Sequence, residues 1–273
     1  MSRAVSSTRL WDRALSDPSF TANAEATTED MTYLSLSWLV LHELHHYQMG
    51  HFEFSGGHRL TEAKDPNSFS VAARSSVTRL PALADIEAAD LLKVEPCLEL
   101  QADHDAIEML LDAYSPDGWN LIRMRAAAIS GMMVLIERED CKRGHELSSH
   151  PKAATRIFQM LGHVIQMPMI EAMQAERHPE LNIDPHVPSD AEHAAFNDEV
   201  VIPTFFDAVK LAAIADATKI AQDLGVSETF FQDVQLALLG DPDSFDALTT
   251  AGAKHWSELV TFNATLLSRL STV

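Results

Sequence analysis

Residues 27–50 read TTEDMTYLSLSWLVLHELHHYQMG, and this stretch decides which fold the chain can form. Thr27 and Asp30 have the spacing of a weak capping box, and Gly50 supplies a stop. The stretch therefore predicts a helix from about residue 29 to residue 49. Its apolar side chains recur at helical spacing and predict a buried face of four residues, namely Leu34, Trp38, Leu41 and Leu44.

Helical patterns also dominate the rest of the chain. Further helices are predicted over residues 82–93, 95–114, 119–138 and 150–177, with Pro96 in the first turn of the second of these. Phe52–Phe54 alternates and predicts a short strand, and residues 55–82 predict an irregular loop. The predicted fold is mainly α with few short strands.

Composition shifts suggest three parts. Residues 1–26 are expected to be a lead-in with a helical turn or two, and residues 27–178 the core. Three prolines in residues 178–190 predict a linker. Residues 191–273 are then an additional C-terminal helical region packed on the core.

The composition excludes several classes of function. The 273 residues carry a formal net charge of -20, which argues against nucleic acid and anionic membrane surfaces as partners. Cys97 and Cys141 cannot form a disulfide framework, and their spacing does not suit a thiolate zinc site. The longest apolar runs considered, Leu36–Leu41 (which includes Ser37) and Met132–Ile136, are much shorter than a membrane span. We therefore expect a soluble, cytoplasmic protein, whose oligomeric state the sequence leaves open.

The residues His42-Glu43-Leu44-His45-His46 form a His-Glu-x-x-His motif. On a helix, residues four apart share a face, so His42 and His46 can chelate one metal ion. A zinc ion with an open position lowers the pKa of its water to about 7. Glu43, one step round the helix, can then act as general base on that water. The alternative is a helix that merely carries surface histidines.

A third ligand is available on the predicted helix at 95–114. Glu99 and Asp103 are four residues apart and share a face. Glu99 can complete the ligand set, and Asp103 can accept a hydrogen bond from the second nitrogen of His42 or His46. The alternative is that Glu95, Glu99 and Asp103 form a solvated acidic stripe.

These motifs resemble those of known peptidases. His-Glu-x-x-His followed by Glu-x-x-Ala-Asp on a later helix resembles the gluzincin metallopeptidases. Ser149-His150-Pro151 with Arg156-Ile157 is similar to a segment of the HtpX-like and CAAX-prenyl endopeptidase group. The run from His42 to His51 also resembles the Lit-like phage-exclusion peptidases. The resemblance covers about 30 residues within 42–160, and no membrane segments accompany it.

The resemblance implies a fold and a set of roles. Residues 27–178 would be a gluzincin-type zinc metallopeptidase core that hydrolyses polypeptides with bound Zn²⁺. The implied zinc ligands are His42, His46 and Glu99, with Glu43 as catalytic base. His150 would help to stabilise the oxyanion, and Arg156 would pair with a carboxylate and hold the His150 segment. The alternatives are that His150 only caps a helix and that Arg156 is a surface charge.

A different class of function is also consistent with the motif. The helix pair could bind zinc structurally, as an interaction module without peptidase activity. Such a site closes its fourth position with a protein ligand, for which the candidates are Cys97, His104 and His150. Imidazole and carboxylate ligands also accept iron, cobalt or manganese.

Overall fold

The computed structural model of the chain describes residues 2–17, 20, 26–51, 86–142 and 150–270. Every regular element in these ranges is helical, which confirms the mainly α prediction. The predicted strand at Phe52–Phe54 and the loop at 55–82 lie outside the described residues. The α-helices are α1 (Ser2–Leu15), α2 (Thr28–Gln48), α3 (Ala88–Leu111), α4 (Trp119–Lys142), α5 (Ala153–Arg177), α6 (Asp190–Phe196), α7 (Ile202–Ile214), α8 (Thr218–Leu224), α9 (Ser227–Leu238), α10 (Pro242–Phe245) and α11 (Ala251–Leu270), with a π-helix at Asn197–Val201 and 3-10 turns at Pro116–Gly118 and Pro179–Leu181.

Helix α2 begins and ends where the sequence predicts. The Thr27 side chain accepts from the backbone of Asp30, whose carboxylate accepts from the backbone of Thr27, so the capping box is complete. Gly50 follows the helix with φ +69, a backbone conformation that glycine adopts without strain. The buried face differs from the prediction, because Leu44 is 43% exposed while buried polar and apolar side chains share the inner face: Met31, Ser35, Trp38, His42, His45 and His46.

Helix α3 is one continuous helix, which contradicts the two helices predicted at 82–93 and 95–114. Pro96 lies inside it instead of in a first turn, at a cost of about 3 kcal/mol in a helix interior. Apolar burial offsets that cost, because the neighbours of the proline pack against α11. The buried residues of this contact include Val94, Cys97, Leu98, Leu259 and Leu266.

Helix α4 runs through the centre of the fold. It packs against α2, α5 and α7, and its residues from Ala126 to Glu137 are all buried. Pro116–Lys142 is also long and apolar enough to cross a membrane by length and composition. However, 67% of its most apolar stretch is buried inside the fold. The core helices of soluble proteins can have the same length and apolar composition. The short apolar runs considered in the sequence analysis did not reveal the length of this apolar helix.

The N-terminal segment is more structured than the predicted turn or two. Helix α1 is 14 residues long, and its Trp11 is fully buried against α4. The indole fits because Gly131 has no side chain there: a Cβ atom on Gly131 would lie 2.6 Å from Trp11 Cζ2. Trp11 also donates a hydrogen bond to Ser35 of α2.

The C-terminal helices pack onto the same core. Helix α11 contacts both α5 and α3, and Phe158 of α5 lies against Phe230 of α9 and Trp256 of α11. One buried apolar cluster extends from Leu10 to Ala253. The C-terminal helices therefore form part of the wall around α3 and α5, the two helices that carry Glu99 and Arg156.

Candidate metal centre

Three side chains from two helices bring their ligand atoms to one point inside the fold. His42 and His46 come from the C-terminal half of α2, and their Nε2 atoms lie 3.1 Å apart. Glu99 of α3 places Oε2 3.2 Å from Nε2 of His42 and Oε1 3.4 Å from Nε2 of His46. The three groups offer ligand atoms that all lie within 4.8 Å of one another. This set can hold a metal ion.

The spacing of these atoms fits a tetrahedral zinc site. Ligands about 2.05 Å from a zinc ion stand about 3.3 Å from one another in that geometry. The observed separations are close to this value: 3.1 Å between the two Nε2 atoms, and 3.2 and 3.4 Å from these atoms to Oε2 and Oε1 of Glu99, respectively. Moreover, Glu99 Oε2 is buried and accepts no hydrogen bond of acceptable angle, although it lies close to an imidazole. A buried carboxylate oxygen that accepts no hydrogen bond is well suited to bind a cation.

Burial argues against both alternatives, namely surface histidines and a solvated acidic stripe. His42 and His46 are only 4% and 6% exposed, so they are not surface histidines. The side chains of Glu99 and Asp103 are 14% and 0% exposed, so they do not belong to a solvated acidic stripe.

Asp103 and Arg156 support the imidazole of His42. Oδ1 of Asp103 lies 2.9 Å from Nδ1 of His42, which is a hydrogen-bond distance, although the angle falls outside the usual range. Arg156 of α5 donates two hydrogen bonds of 2.6 Å to the carboxylate of Asp103, in the bidentate arrangement of the strongest ion pairs. Arg156 is 1% exposed, with its guanidinium 5.2 Å from the ring centre of Trp38, so it is not a surface charge.

The electrostatics of the cluster favour a bound cation. Burial alone would lower the pKa of His42, but the carboxylates of Asp103 and Glu99 outweigh it and raise this pKa to about 9. Burial would raise the pKa of Glu99, but the charge of His150 and the close imidazoles hold it well below its usual value. Buried carboxylates thus surround the imidazoles, and a divalent ion would satisfy their charge.

Glu43 directly follows His42 on α2. Its side chain is exposed, and among the described residues it makes no hydrogen bond or ion pair. Leu44 and Tyr47, on the same outer side of the helix, are also exposed. The structure therefore leaves the Glu43 carboxylate accessible to water and to a polypeptide.

His150 lies next to Glu99, just before α5. Its Nε2 is 3.5 Å from Glu99 Oε2, and its Nδ1 is 3.8 Å from Asp140 Oδ2. It does not cap α5, because the N-cap residue is Lys152 and the first helical N–H, that of Ala153, donates to Glu137. His150 is also not part of the set of ligand atoms that lie within 4.8 Å of one another.

A comparison with protein families decides the assignment of the chain. The model of the family described as peptidase U49 matches residues 1–174. The chain belongs to the peptidase U49 family. This result confirms the Lit-like resemblance at the level of a peptidase family, and it does not support the HtpX-like and CAAX-prenyl subgroup. A peptidase family implies polypeptide substrates.

The match to peptidase U49 includes every candidate site residue named above. Residues 175–273, which contain α6 to α11, lie beyond it. Searches of the curated proteins and of the solved structures each found no match.

Two other candidate ligands lie away from the cluster. Cys97 is buried and donates to the backbone oxygen of Leu259, and burial raises the pKa of its thiol to about 12. His104 is exposed and packs edge-to-face against His163. Of the three residues proposed to close a structural site, only His150 is near it.

The sequence analysis missed two residues of the site. His51 is 1% exposed, with Nδ1 3.0 Å from Nδ1 of His46, although it follows the helix stop. Asp140 stands beside His150. Helical spacing could not have indicated either one: the chain turns at Gly50 before His51, and Asp140 is on a different helix from every ligand.

A cavity of about 460 Å³ lies on the far side of α3 from Glu99. Its wall includes Gln101 and His104 of α3, Gln159 of α5, and Trp256 and Asn263 of α11. His104 is five residues from Glu99, which turns it about 140° round the helix. The cavity is therefore separate from the metal-ligand cluster, although Gln101 contacts both sides.

Proposed function

We propose that this chain is a zinc-dependent endopeptidase that hydrolyses peptide bonds with Glu43 as general base. The observation that carries the proposal is the convergence of the ligand atoms of His42, His46 and Glu99 inside the fold, within 4.8 Å of one another. Membership of a peptidase family supports it independently.

The ligand set favours zinc on chemical grounds. Two imidazole nitrogens and one carboxylate are the ligands of many catalytic zinc sites, which leave a fourth position open. When bound, zinc would supply Lewis acidity, which makes a water molecule more acidic and polarises a carbonyl group. Iron, cobalt and manganese accept the same ligands, so metal identity belongs to the test.

In this proposal, Glu43 transfers one proton from the attacking water to the leaving amine. The water oxygen bonds to the carbonyl carbon of the peptide, and its proton passes to the carboxylate of Glu43. The same proton then passes to the amine nitrogen as the C–N bond breaks. The exposed carboxylate of Glu43, one residue from the buried His42, suits this exchange with water and substrate.

The remaining residues hold the ligands and the developing charge. Arg156 keeps Asp103 ionised, and Asp103 in turn holds the ring of His42 with Nε2 directed at the ligand cluster. We assign His150 to stabilisation of the oxyanion, since it lies beside Glu99 and is steadied by Asp140.

Structural zinc binding is the second candidate function. Its supporting observation is the position of His150, 3.5 Å from a ligand oxygen, where a small movement would make it a fourth ligand. The two candidates differ in what His150→Ala does. In a peptidase it slows hydrolysis and leaves zinc bound, whereas in a closed structural site it weakens zinc binding and unfolds the protein.

The direct test of peptidase chemistry is Glu43→Gln. We expect this variant to retain zinc and to lose hydrolysis of a casein or peptide-library substrate, because an amide cannot accept the proton. Glu29→Gln, the same change at the start of α2, is the control and should leave hydrolysis unchanged. Undiminished hydrolysis by Glu43→Gln would reject the proposal.

A dedicated substrate is compatible with the same chemistry. The Lit-like resemblance suggests a processing or defence peptidase that cuts one intracellular protein. Cleavage of one protein in a cell lysate without casein degradation supports that narrower role, whereas broad casein degradation contradicts it.

A further inference from the structure

We propose that His51, Gln101 and Asn263 are positioning residues, which hold His46 in the tautomer that presents Nε2 to a metal ion. This inference rests on the metal site proposed above. It assigns a role to a histidine that the motif does not contain and to a residue of the C-terminal helix α11.

The four side chains form one continuous chain of polar contacts. Nδ1 of His46 lies 3.0 Å from Nδ1 of His51, and Nε2 of His51 lies 3.0 Å from Oε1 of Gln101. Gln101 Nε2 then donates to Oδ1 of Asn263 at 2.5 Å. His46, His51 and Gln101 are at most 7% exposed, so water does not compete freely for these bonds.

The direction of every bond follows from the amide of Gln101. Its Oε1 can only accept, so Nε2 of His51 carries a proton and donates. In the neutral imidazole, Nδ1 of His51 is then an acceptor. The proton between the two Nδ1 atoms therefore belongs to His46. Nε2 of His46, the atom that lies among the proposed metal ligands, is thus left unprotonated.

The two imidazole ligands are consequently supported by different chemistry. His42 is held by the carboxylate of Asp103, whose charge is paired with Arg156. His46 is held by a neutral histidine and a neutral amide. Glu99 is then the single anionic residue in the proposed ligand set, so a divalent ion in this site keeps net positive charge. That charge is what makes a bound ion effective as a Lewis acid.

The turn at Gly50 and helix α11 both position residues of this series of hydrogen bonds. Gly50, with its positive φ, turns the backbone at the end of α2, and His51 after it lies against His46. Asn263 lies in α11, beyond the residues that match peptidase U49. The C-terminal region therefore contributes to the metal site through hydrogen bonds, without supplying a ligand.

The first experiment compares two substitutions of His51 in the full chain. His51→Phe removes the acceptor, whereas His51→Asn keeps an oxygen about where Nδ1 stands. We expect the zinc dissociation constant, measured by chelator competition, to rise about 10- to 100-fold in His51→Phe and to recover largely in His51→Asn. Equal zinc affinity in wild type and His51→Phe, or equal losses in both variants, would overturn the inference.

The second measurement reads the tautomer directly. Imidazole ¹⁵N spectra of the metal-free protein should show His46 protonated on Nδ1 in wild type and in His51→Asn. In His51→Phe a substantial fraction should be protonated on Nε2. A structural role for His51 predicts no such change. Nε2 protonation of His46 in metal-free wild type would contradict the inference whatever the zinc affinity.

The contacts of Gln101 and Asn263 are tested by substitutions with a matched control. Gln101→Leu and Asn263→Leu should weaken zinc binding, Gln101→Leu more. Gln159→Leu should not, because Gln159 lines the same cavity but donates to the backbone of Leu100. Wild type that binds no zinc but has His46 protonated on Nδ1 would refute the metal site and leave the tautomer assignment standing. If wild type binds zinc and His51→Phe binds it equally well, the metal site stands and the positioning role of His51 is refuted.

Discussion

At the scale of single residues, the buried pair of Arg156 and Asp103 is the strongest support of the candidate site. Both side chains are almost fully buried, and two hydrogen bonds of 2.6 Å join them. Burial would raise the pKa of Asp103, but the charge of Arg156 keeps it lowered. The nearby imidazole of His42 also lowers this pKa, and Arg156 is the largest favourable contribution.

Removal of Arg156 should be costly. We expect Arg156→Leu to lower the free energy of unfolding by about 3–5 kcal/mol, because it leaves the buried carboxylate of Asp103 without its guanidinium partner. Arg13→Leu is the control, since its pair with Asp216 is exposed and should contribute less than about 1 kcal/mol. Urea denaturation of the metal-free proteins measures both. Equal small losses would show that the buried pair does not hold the site.

The sequence indicated the candidate ligands but not all of the residues that support them. Helical spacing identified His42, His46 and Glu99, because residues four apart meet on one helix face. It did not indicate His51, because its contact depends on the direction of the chain after Gly50. Nor did it indicate Asp140, which approaches His150 only through the packing of two helices.

At the scale of helices, the packing of α1 on α4 depends on one glycine. A Cβ atom at Gly131 would lie 2.6 Å from Trp11, whereas a Cβ atom at Gly162 of α5 would meet nothing within 4 Å. Both glycines lie inside helices, where alanine is intrinsically favoured.

The two glycines therefore predict opposite effects of the same substitution. Gly131→Ala should lower the free energy of unfolding by about 1–3 kcal/mol, because the indole of Trp11 must move. Gly162→Ala should raise it by about 0.5–1 kcal/mol, because it reduces the freedom of the unfolded chain. Thermal or urea unfolding distinguishes them. A stabilising Gly131→Ala would show that Trp11 does not pack as described.

Sequence patterns predicted the helices better than their boundaries. The ends of α2 followed from a capping box and a glycine, which are local signals. The prediction of two helices at 82–93 and 95–114 was wrong, because burial of the apolar residues around Pro96 against α11 stabilises one helix through the proline. That burial depends on a helix about 160 residues later, which no local pattern reveals.

At the scale of the whole molecule, a partly buried histidine should make stability depend on pH. Burial and the nearby His104 lower the pKa of His163 to about 4. The unfolded chain, with a histidine pKa of about 6.5, therefore binds a proton that the folded protein excludes between these values. This contribution is complete above about pH 6.5 and is lost as the pH falls towards 4.

The substitution His163→Gln should reduce that dependence. We expect the loss of unfolding free energy between pH 7 and pH 5 to be smaller than in wild type, by on the order of 1–2 kcal/mol. His178→Gln, the same change at an exposed position, is the control, and the histidines of the metal cluster are present in all three proteins. An identical pH dependence in wild type and His163→Gln would show that His163 titrates normally in the fold.

The fold class could be predicted from the whole sequence, because helical periodicity and caps are local and repeated. The arrangement of α3, α5 and α11 around the site could not, since it depends on contacts between residues far apart in the chain. The division into a core at 27–178 and a C-terminal region at 191–273 stays a prediction. Asn263 nevertheless contacts Gln101, so the two parts meet near the site.

The most direct test of the central claim is the metal content of the full chain, purified without chelators, measured beside Glu99→Ala by mass spectrometry. We predict about one zinc ion per chain in wild type and a sharp reduction in Glu99→Ala, since two imidazoles alone hold zinc weakly. Wild type that contains no metal and takes up none on zinc titration would contradict the account.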